Sequence, residues 1–143
     1  MTEHGELRRY HSAVLVPDIT AAVGGFTAST GVRFGEVMTF PIRVESDAEE
    51  IDIDVTFVHA VDGRTELIQA SEGPFAPAVG FGLHHVGGIG TVELDEEIEV
   101  QDALGSGVEW RLYMEGRLFA VFLEPTPLRP VRVEVMAPFM ANA

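Results

Sequence analysis

The feature that most constrains this chain is internal repetition. Residues 11–19 (HSAVLVPDI) are short, apolar and end in a helix-start signal, and residues 85–94 (HVGGIGTVEL) follow the same plan with one residue inserted. Each continues into a stretch that ends at glycine. Gly31-Val32-Arg33-Phe34 follows in the first half and Gly107-Val108-Glu109-Trp110 in the second. Each half then carries a strand-like segment with a glutamate, TELI at 65–68 and VEVM at 133–136. The order His, helix, Gly-Val-x-aromatic, Glu therefore occurs twice, with His-to-Glu separations of 55 and 49 residues. Repeats of this kind are supersecondary units that bury a shared core. The chain reads as one domain, residues 1–143, made of two modules over about 9–72 and 83–137. The Pro- and Gly-rich run 73–82 (GPFAPAVGFG) links them, and the longer first separation fits an acidic insertion around residues 45–50.

Local signals give each module the same parts. Residues 11–16 alternate as a strand, Asp18 can cap the helix that follows and Gly31 can end it. Gly24 and Gly25 weaken that helix, so packing must hold it. In the second half Asp95 is the expected cap, and the helix should stop near Gly105. Residues 51–59 alternate Ile51, Ile53, Val55 and Phe57 against Asp52, Asp54 and Thr56, and 64–70, 108–114, 117–123 and 130–136 read as further strands. Each half is a strand, a helix and about three strands, an α+β arrangement.

Successive strand residues point to opposite faces. Val131, Val133 and Val135 form one face of the last strand, and Arg132, Glu134 and Met136 the other. The valines pack on helices, so Glu134 points away from them. The same parity turns Glu66 and Ile68 away from Leu67, and His11 away from Val14 and Val16; by the repeat, His85 takes the place of His11. His11, Glu66, His85 and Glu134 then share the helix-free face of a curved sheet. Two neutral imidazoles and two carboxylates balance a divalent cation, which eases holding it in a partly buried cavity. Four protein ligands on an octahedral ion leave two positions for water or substrate oxygens. Strand alternation puts His84 on the opposite face from His85. His59 shares parity with Phe57 and is a candidate for the cavity wall. Phe34, Phe81, Trp110 and Phe119 can stack on a substrate, although core packing explains them more simply.

Composition removes several classes. Without cysteine there is no disulfide scaffold, thiolate zinc site or cysteine nucleophile. Without lysine there is no Schiff base on the enzyme. A formal charge of −14 repels a nucleic-acid backbone. Much of that charge lies in two runs, Glu45, Asp47, Glu49, Glu50, Asp52 and Asp54, then Glu93, Asp95, Glu96, Glu97, Glu99 and Asp102. Each is a candidate cation site, with a solvated face as the simpler reading. The opening MTEHGELRRY lacks the apolar stretch of a secretory signal, and no run approaches the roughly 18 apolar residues of a membrane helix. The expectation is a soluble cytoplasmic protein with neither membrane nor nucleic acid as partner.

The ordered set YHSAVLVPDI, TELIQ, GFGLHHVGG and VRVEVMAP resembles the vicinal oxygen chelate superfamily, the group of glyoxalases, bleomycin-resistance proteins and extradiol dioxygenases, over about residues 9–137. The nearest likeness is to the glyoxalase-like branch that includes methylmalonyl-CoA epimerase. The resemblance implies two tandem βαβββ modules forming an open, cupped mixed β-sheet around a metal, with helices outside. It places the ligand positions on His11, Glu66, His85 and Glu134. The epimerase usually has glutamine where Glu66 stands, and two histidines with two glutamates resemble lactoylglutathione lyase. The implied cofactor is one divalent ion, nickel, cobalt, zinc or manganese, and the implied assembly is a homodimer.

Such a metal acts as a Lewis acid on a carbonyl or enolate oxygen while a carboxylate moves the α-proton. Glu134 is the first choice of base and Glu66 its symmetric partner. Two bases on opposite faces give epimerisation; one base returning the proton to the neighbouring carbon gives isomerisation. The expected function is a metal-dependent lyase, isomerase or epimerase acting on a small carbonyl or thioester substrate. The alternatives are a glyoxalase-fold protein that sequesters small molecules and, less favoured, a dioxygenase. Asp47 and Glu49 fall where the epimerase carries a catalytic carboxylate. Arg8, Arg9, Arg33, Arg43, Arg111 and Arg132 are available to an anionic substrate.

Overall fold

The computed structural model describes residues 5–142. Among them the chain forms β1 (Arg8–Val16), α1 (Ile19–Thr30), β2 (Met38–Glu45), β3 (Glu50–His59), β4 (Thr65–Gln69), β5 (Gly82–Ile89), α2 (Leu94–Ala103), β6 (Val108–Met114), β7 (Arg117–Leu123) and β8 (Val133–Met136). Short 3-10 turns occupy Gly73–Phe75 and Pro77–Val79 between β4 and β5, and a third, Pro138–Asn142, follows β8. No helix among the described residues is long and apolar enough to cross a membrane.

The first helix starts and stops where its sequence says. Asp18 is extended (φ −142°) and its side chain accepts from the Ala21 N–H at 3.0 Å; Gly31 takes the left-handed conformation (φ 75°) and its N–H bonds to the Thr27 carbonyl. Despite its two central glycines the helix is held by packing, with Ile19, Ala22, Val23 and Phe26 lying on Val16, Val58 and Leu67. The second helix corrects the cap. Glu93 occupies the N-cap position and makes no side-chain cap bond, while Asp95 lies inside the first turn with Glu96 and Glu97. Three carboxylates near the positive helix end stabilise it without a cap. Gly105 (φ 80°) follows its end as expected.

The acidic insertion at 45–50 is a hairpin turn: Glu45 pairs with Glu50, and the Ser46 hydroxyl accepts from the Ala48 and Glu49 N–H groups. It joins β3 to β2, a strand the sequence pattern leaves unplaced. Its sequence does alternate, Met38, Phe40, Ile42 and Val44 against Thr39, Pro41, Arg43 and Glu45, but Pro41 lacks a donor and argues against a strand there, and the first four residues are all exposed.

The strands close in the order β1-β4-β3-β2-β6-β7-β8-β5, with β5 returning to β1. β1 pairs in parallel with β4 and β5 with β8; the other pairings are antiparallel. The sheet is thus a closed, barrel-like cup rather than the open one expected, because Arg43–Glu45 of β2 pair with Arg111–Tyr113 of β6. The closing seam is short: Met38–Ile42 of β2 extend beyond its pairing with β6. One apolar cluster fills the interior, including Leu15, Val44, Leu112 and Phe122. Two more lie on the opposite face, one under α1 and one under α2, where Leu94 meets Val121, Leu123 and Val135. Phe34 packs on Phe26 beneath α1, and Trp110 packs against the interior cluster, so both are core residues.

Gly87 tests how tightly β5 and β8 approach. A Cβ added there would lie 2.2 Å from the Glu134 carbonyl oxygen, whereas a Cβ at Gly25 meets nothing within 4 Å. Gly87→Ala is expected to lower unfolding stability by about 3 kcal/mol or more. Gly25→Ala, in the middle of α1, should raise it by up to about 1 kcal/mol. Urea unfolding of the two variants checks both signs.

Candidate metal centre

Four adjacent strands carry the four expected residues: Glu66 on β4, His11 on β1, His85 on β5 and Glu134 on β8. Register sets them in two rows. Ala13 stands opposite both Glu66 and His85, and Gly87 stands opposite both His11 and Glu134. The middle position of each row is therefore nearly bare of side chain, and the polar groups at the ends converge across it. The carboxylates flank the imidazoles.

The convergence is close. The Nε2 atom of His11 is 4.0 Å from Glu66 Oε1 and 4.0 Å from Glu134 Oε1; His85 Nε2 is 3.9 Å and 3.5 Å from the same two oxygens. His11, His85 and Glu134 bring one ligand atom each to within 4.8 Å of one another, all three residues being buried. Glu66 lies outside that tightest group. Its Oε1 faces the imidazoles while its Oε2 is held at 2.6 Å by His59 Nε2.

Two observations show that these residues fit a metal. The Nε2 atoms of His11 and His85 are buried and have no hydrogen-bond partner. Leaving two such atoms unsatisfied is costly unless something binds them. Their other ring nitrogens are engaged. His11 Nδ1 faces the Arg9 carbonyl at 3.1 Å, which requires an Nδ1–H and leaves Nε2 with a lone pair. Arg9 has a positive φ of 51°, at a register shift in β1 between Arg8 and His11 that aims this carbonyl back at the ring.

The charges respond to one another. In the metal-free protein burial works against ionisation of Glu134, but positive charge on the imidazoles of His85 and then His11, when they are protonated, outweighs it and holds the carboxyl below its ordinary range. The hydrogen bond from His59 to Glu66 raises His59 above the usual histidine value. Burial pushes His84 down to about 4. His84 also corrects the alternation argument. The register passes from Ala13 against His85 to Val14 against Leu83, so a bulge absorbs His84 and both rings lie against Phe122, at 5.4 and 5.0 Å.

His11, Glu66, Glu134 and His59 line one end of an interior cavity of about 550 Å³. The rest of its wall is mainly apolar, with Phe40, Phe57, Phe75, Phe119, Met114 and Met136. That volume suits one small molecule. Of the six candidate arginines, Arg9 lines this cavity. Arg43 instead binds Asp52 (3.0 Å) and Glu50 on the outer surface, and Arg132 binds Glu109 at 2.5 Å. Phe119 is the one of the four aromatic candidates in the wall, and Phe81 is exposed. Asp47 and Glu49 are exposed in the hairpin turn and do not line the cavity. Among the described residues neither acidic run assembles three ligand atoms at metal spacing. The role of His59 beside Glu66 had a legible signal: Asp62-Gly63 marks a tight turn, and folding the chain there places 59 opposite 66.

No protein-family model and no curated protein sequence matches this chain. Solved structures do. A variant of Streptomyces coelicolor methylmalonyl-CoA epimerase, in complex with 2-nitronate-propionyl-CoA, matches 92% of this chain and 98% of its own at 18% identity and a TM-score of 0.55. Methylmalonyl-CoA epimerase from Mycobacterium tuberculosis matches 100% of this chain and 97% of its own at 14% identity and a TM-score of 0.58. A hypothetical protein from Bacillus halodurans covers 92% and 93% at 18% identity and a TM-score of 0.56. The chain therefore has the fold of the vicinal oxygen chelate superfamily, as its sequence motifs implied.

The low value of His84 sets a pH dependence. Its folded pKa is near 4 against 6.5 when unfolded, so the unfolded state binds the extra proton first. Metal-free protein is expected to lose stability as pH falls from about 6.5 towards 4, by roughly 3 kcal/mol from this group. His84→Phe should show a shallower slope across that window. Denaturant midpoints at a series of pH values measure it.

Proposed function

We propose that this protein is a metal-dependent lyase, isomerase or epimerase that works on a small carbonyl or thioester substrate through an enolate-type intermediate. The observation that carries the reading is the pair of bare, buried imidazole nitrogens meeting two carboxylates at one end of an apolar cavity. His11, His85 and Glu134 would hold the ion, with Glu66 completing the set. Nickel, cobalt, zinc and manganese all suit nitrogen and oxygen ligands. When bound, the ion supplies Lewis-acid stabilisation of negative charge on a substrate oxygen.

The chain's own residues do the rest. Glu134, whose negative charge a bound ion would stabilise, would be ready to accept a proton from the carbon next to the carbonyl. Glu66 stands on the other side of the histidine pair with one oxygen turned inward. The His59 contact at 2.6 Å fixes its orientation and offers a proton route to the half-exposed imidazole. Removal by one carboxylate and return by the other inverts the carbon; return by the same one to the next carbon isomerises the substrate. The phenylalanines and methionines exclude water, which strengthens both charge interactions. The Streptomyces epimerase is described with a CoA thioester, which supports testing that class first. A sequestration protein is the second reading, favoured by the apolar wall, and it would need none of the four ligands.

The same reading makes the protein one domain of two tandem modules, working as a homodimer in the cytoplasm. Light scattering coupled to gel filtration tests the dimer.

Untagged protein is expected to carry about one divalent ion per chain by elemental analysis. Adding that metal at 100 times its Kd to stripped protein should raise stability by about 2.7 kcal/mol. His11→Ala and Glu134→Ala should remove both the ion and the gain. With α-substituted acyl-CoA esters or thiol adducts of 2-oxoaldehydes in heavy water, loaded protein should exchange the proton beside the carbonyl, with Glu134→Gln slowed at least about 100-fold. Metal-independent tight binding without exchange would establish the sequestration reading instead.

A further inference from the structure

We infer that His84 is a positioning residue that fixes the tautomer of His85 and thereby keeps His85 Nε2 free for the ion, an inference resting on the metal reading above. The two histidines are neighbours in sequence, and the bulge in β5 brings their rings side by side, with centroids 5.0 Å apart at 78°. His84 Nε2 lies 2.7 Å from the Pro74 carbonyl oxygen. A carbonyl only accepts, so the single proton of a neutral His84 sits on Nε2. Its Nδ1 is then a bare lone pair, 2.8 Å from Nδ1 of His85. That contact is a hydrogen bond only if His85 donates. A proton on His85 Nδ1 leaves Nε2 with its lone pair directed at the carboxylates.

The pocket around His84 is apolar. His84 is 3% exposed and lies between Phe75, tilted by 30° at 5.3 Å, and Phe122 at 5.4 Å. The Arg132 guanidinium donates to the His84 carbonyl at 3.0 Å, which ties down the backbone at the bulge. The chain Pro74, His84, His85 therefore runs in one direction. Without His84, His85 is free to carry its proton on Nε2, where the Glu134 and Glu66 oxygens at 3.5 and 3.9 Å would draw it. The proton would then compete with the ion. His11 is served by the Arg9 carbonyl, so each imidazole has its own lock.

Nitrogen NMR of metal-free, histidine-labelled full-length protein at neutral pH tests this directly. The expected result is His85 protonated on Nδ1 and His84 on Nε2. His84→Phe keeps a flat ring against Phe75 and Phe122 but has no acceptor; the Nε2–H form of His85 should grow, and cobalt affinity by calorimetry should fall 10- to 100-fold. His84→Asn, whose side-chain oxygen stands near the lost Nδ1, should recover most of that affinity. A wild-type His85 found protonated on Nε2 overturns the inference, and this measurement requires no variant to fold. So does a His84→Phe protein that binds cobalt as tightly as wild type. Wild-type protein that binds no cobalt, nickel, zinc or manganese overturns the metal reading instead, and the spectrum then decides the tautomer lock by itself.

Discussion

Antiparallel pairing of β1 with β5 is the contact on which the rest of the structure depends. It is one of two joins between the halves of the chain, and it sets His11 opposite Gly87 and Ala13 opposite His85. Parallel partners then add the carboxylates, β4 beside β1 and β8 beside β5. A slip of one residue in any of these pairings would turn the affected side chain to the other face, among the residues under the helices. Small residues at Ala13 and Gly87 are part of the same constraint. Larger side chains there would fill the space across which the four polar groups face one another.

Burying two carboxylates and two imidazoles beside an apolar cavity opposes folding unless their charges and lone pairs are matched. The barrel meets part of that demand internally: His59 bonds one oxygen of Glu66. It leaves the Nε2 atoms of His11 and His85 buried without a hydrogen-bond partner. That unmet remainder is what marks this end of the cavity as a candidate site.

Irregular backbone governs how that site is tuned. β1 and β5 break register twice, near Arg9 and at His84, and each break presents an acceptor to the Nδ1 of a site histidine. Bulges commonly re-aim side chains beside functional sites, and here they decide which nitrogen of each ring carries the proton. The two solutions differ chemically, a backbone carbonyl for His11 and a second imidazole for His85, although the strands that carry the rings are equivalent in the order of elements.

Much of this was legible in the residues alone. Repetition of His, helix and Glu, read with strand parity, brings His11, Glu66, His85 and Glu134 to one face, because alternation is a property of the extended backbone and needs no knowledge of partners. The cap at Asp18 and the stop at Gly31 follow from local chemistry in the same way. What sequence could not settle is whatever depends on which strands meet. Barrel closure rests on three residues of β2 pairing with β6, and the alternation within β2 does not say which strand it meets. His84 was assigned to the wrong face because a bulge is produced by the partner strand's register and not by the residues within it. The Asp62-Gly63 turn does place His59 opposite Glu66, but the positive φ at Arg9 that turns its carbonyl to His11 and the size of the cavity follow from how the strands meet, which only the closed tertiary structure defines.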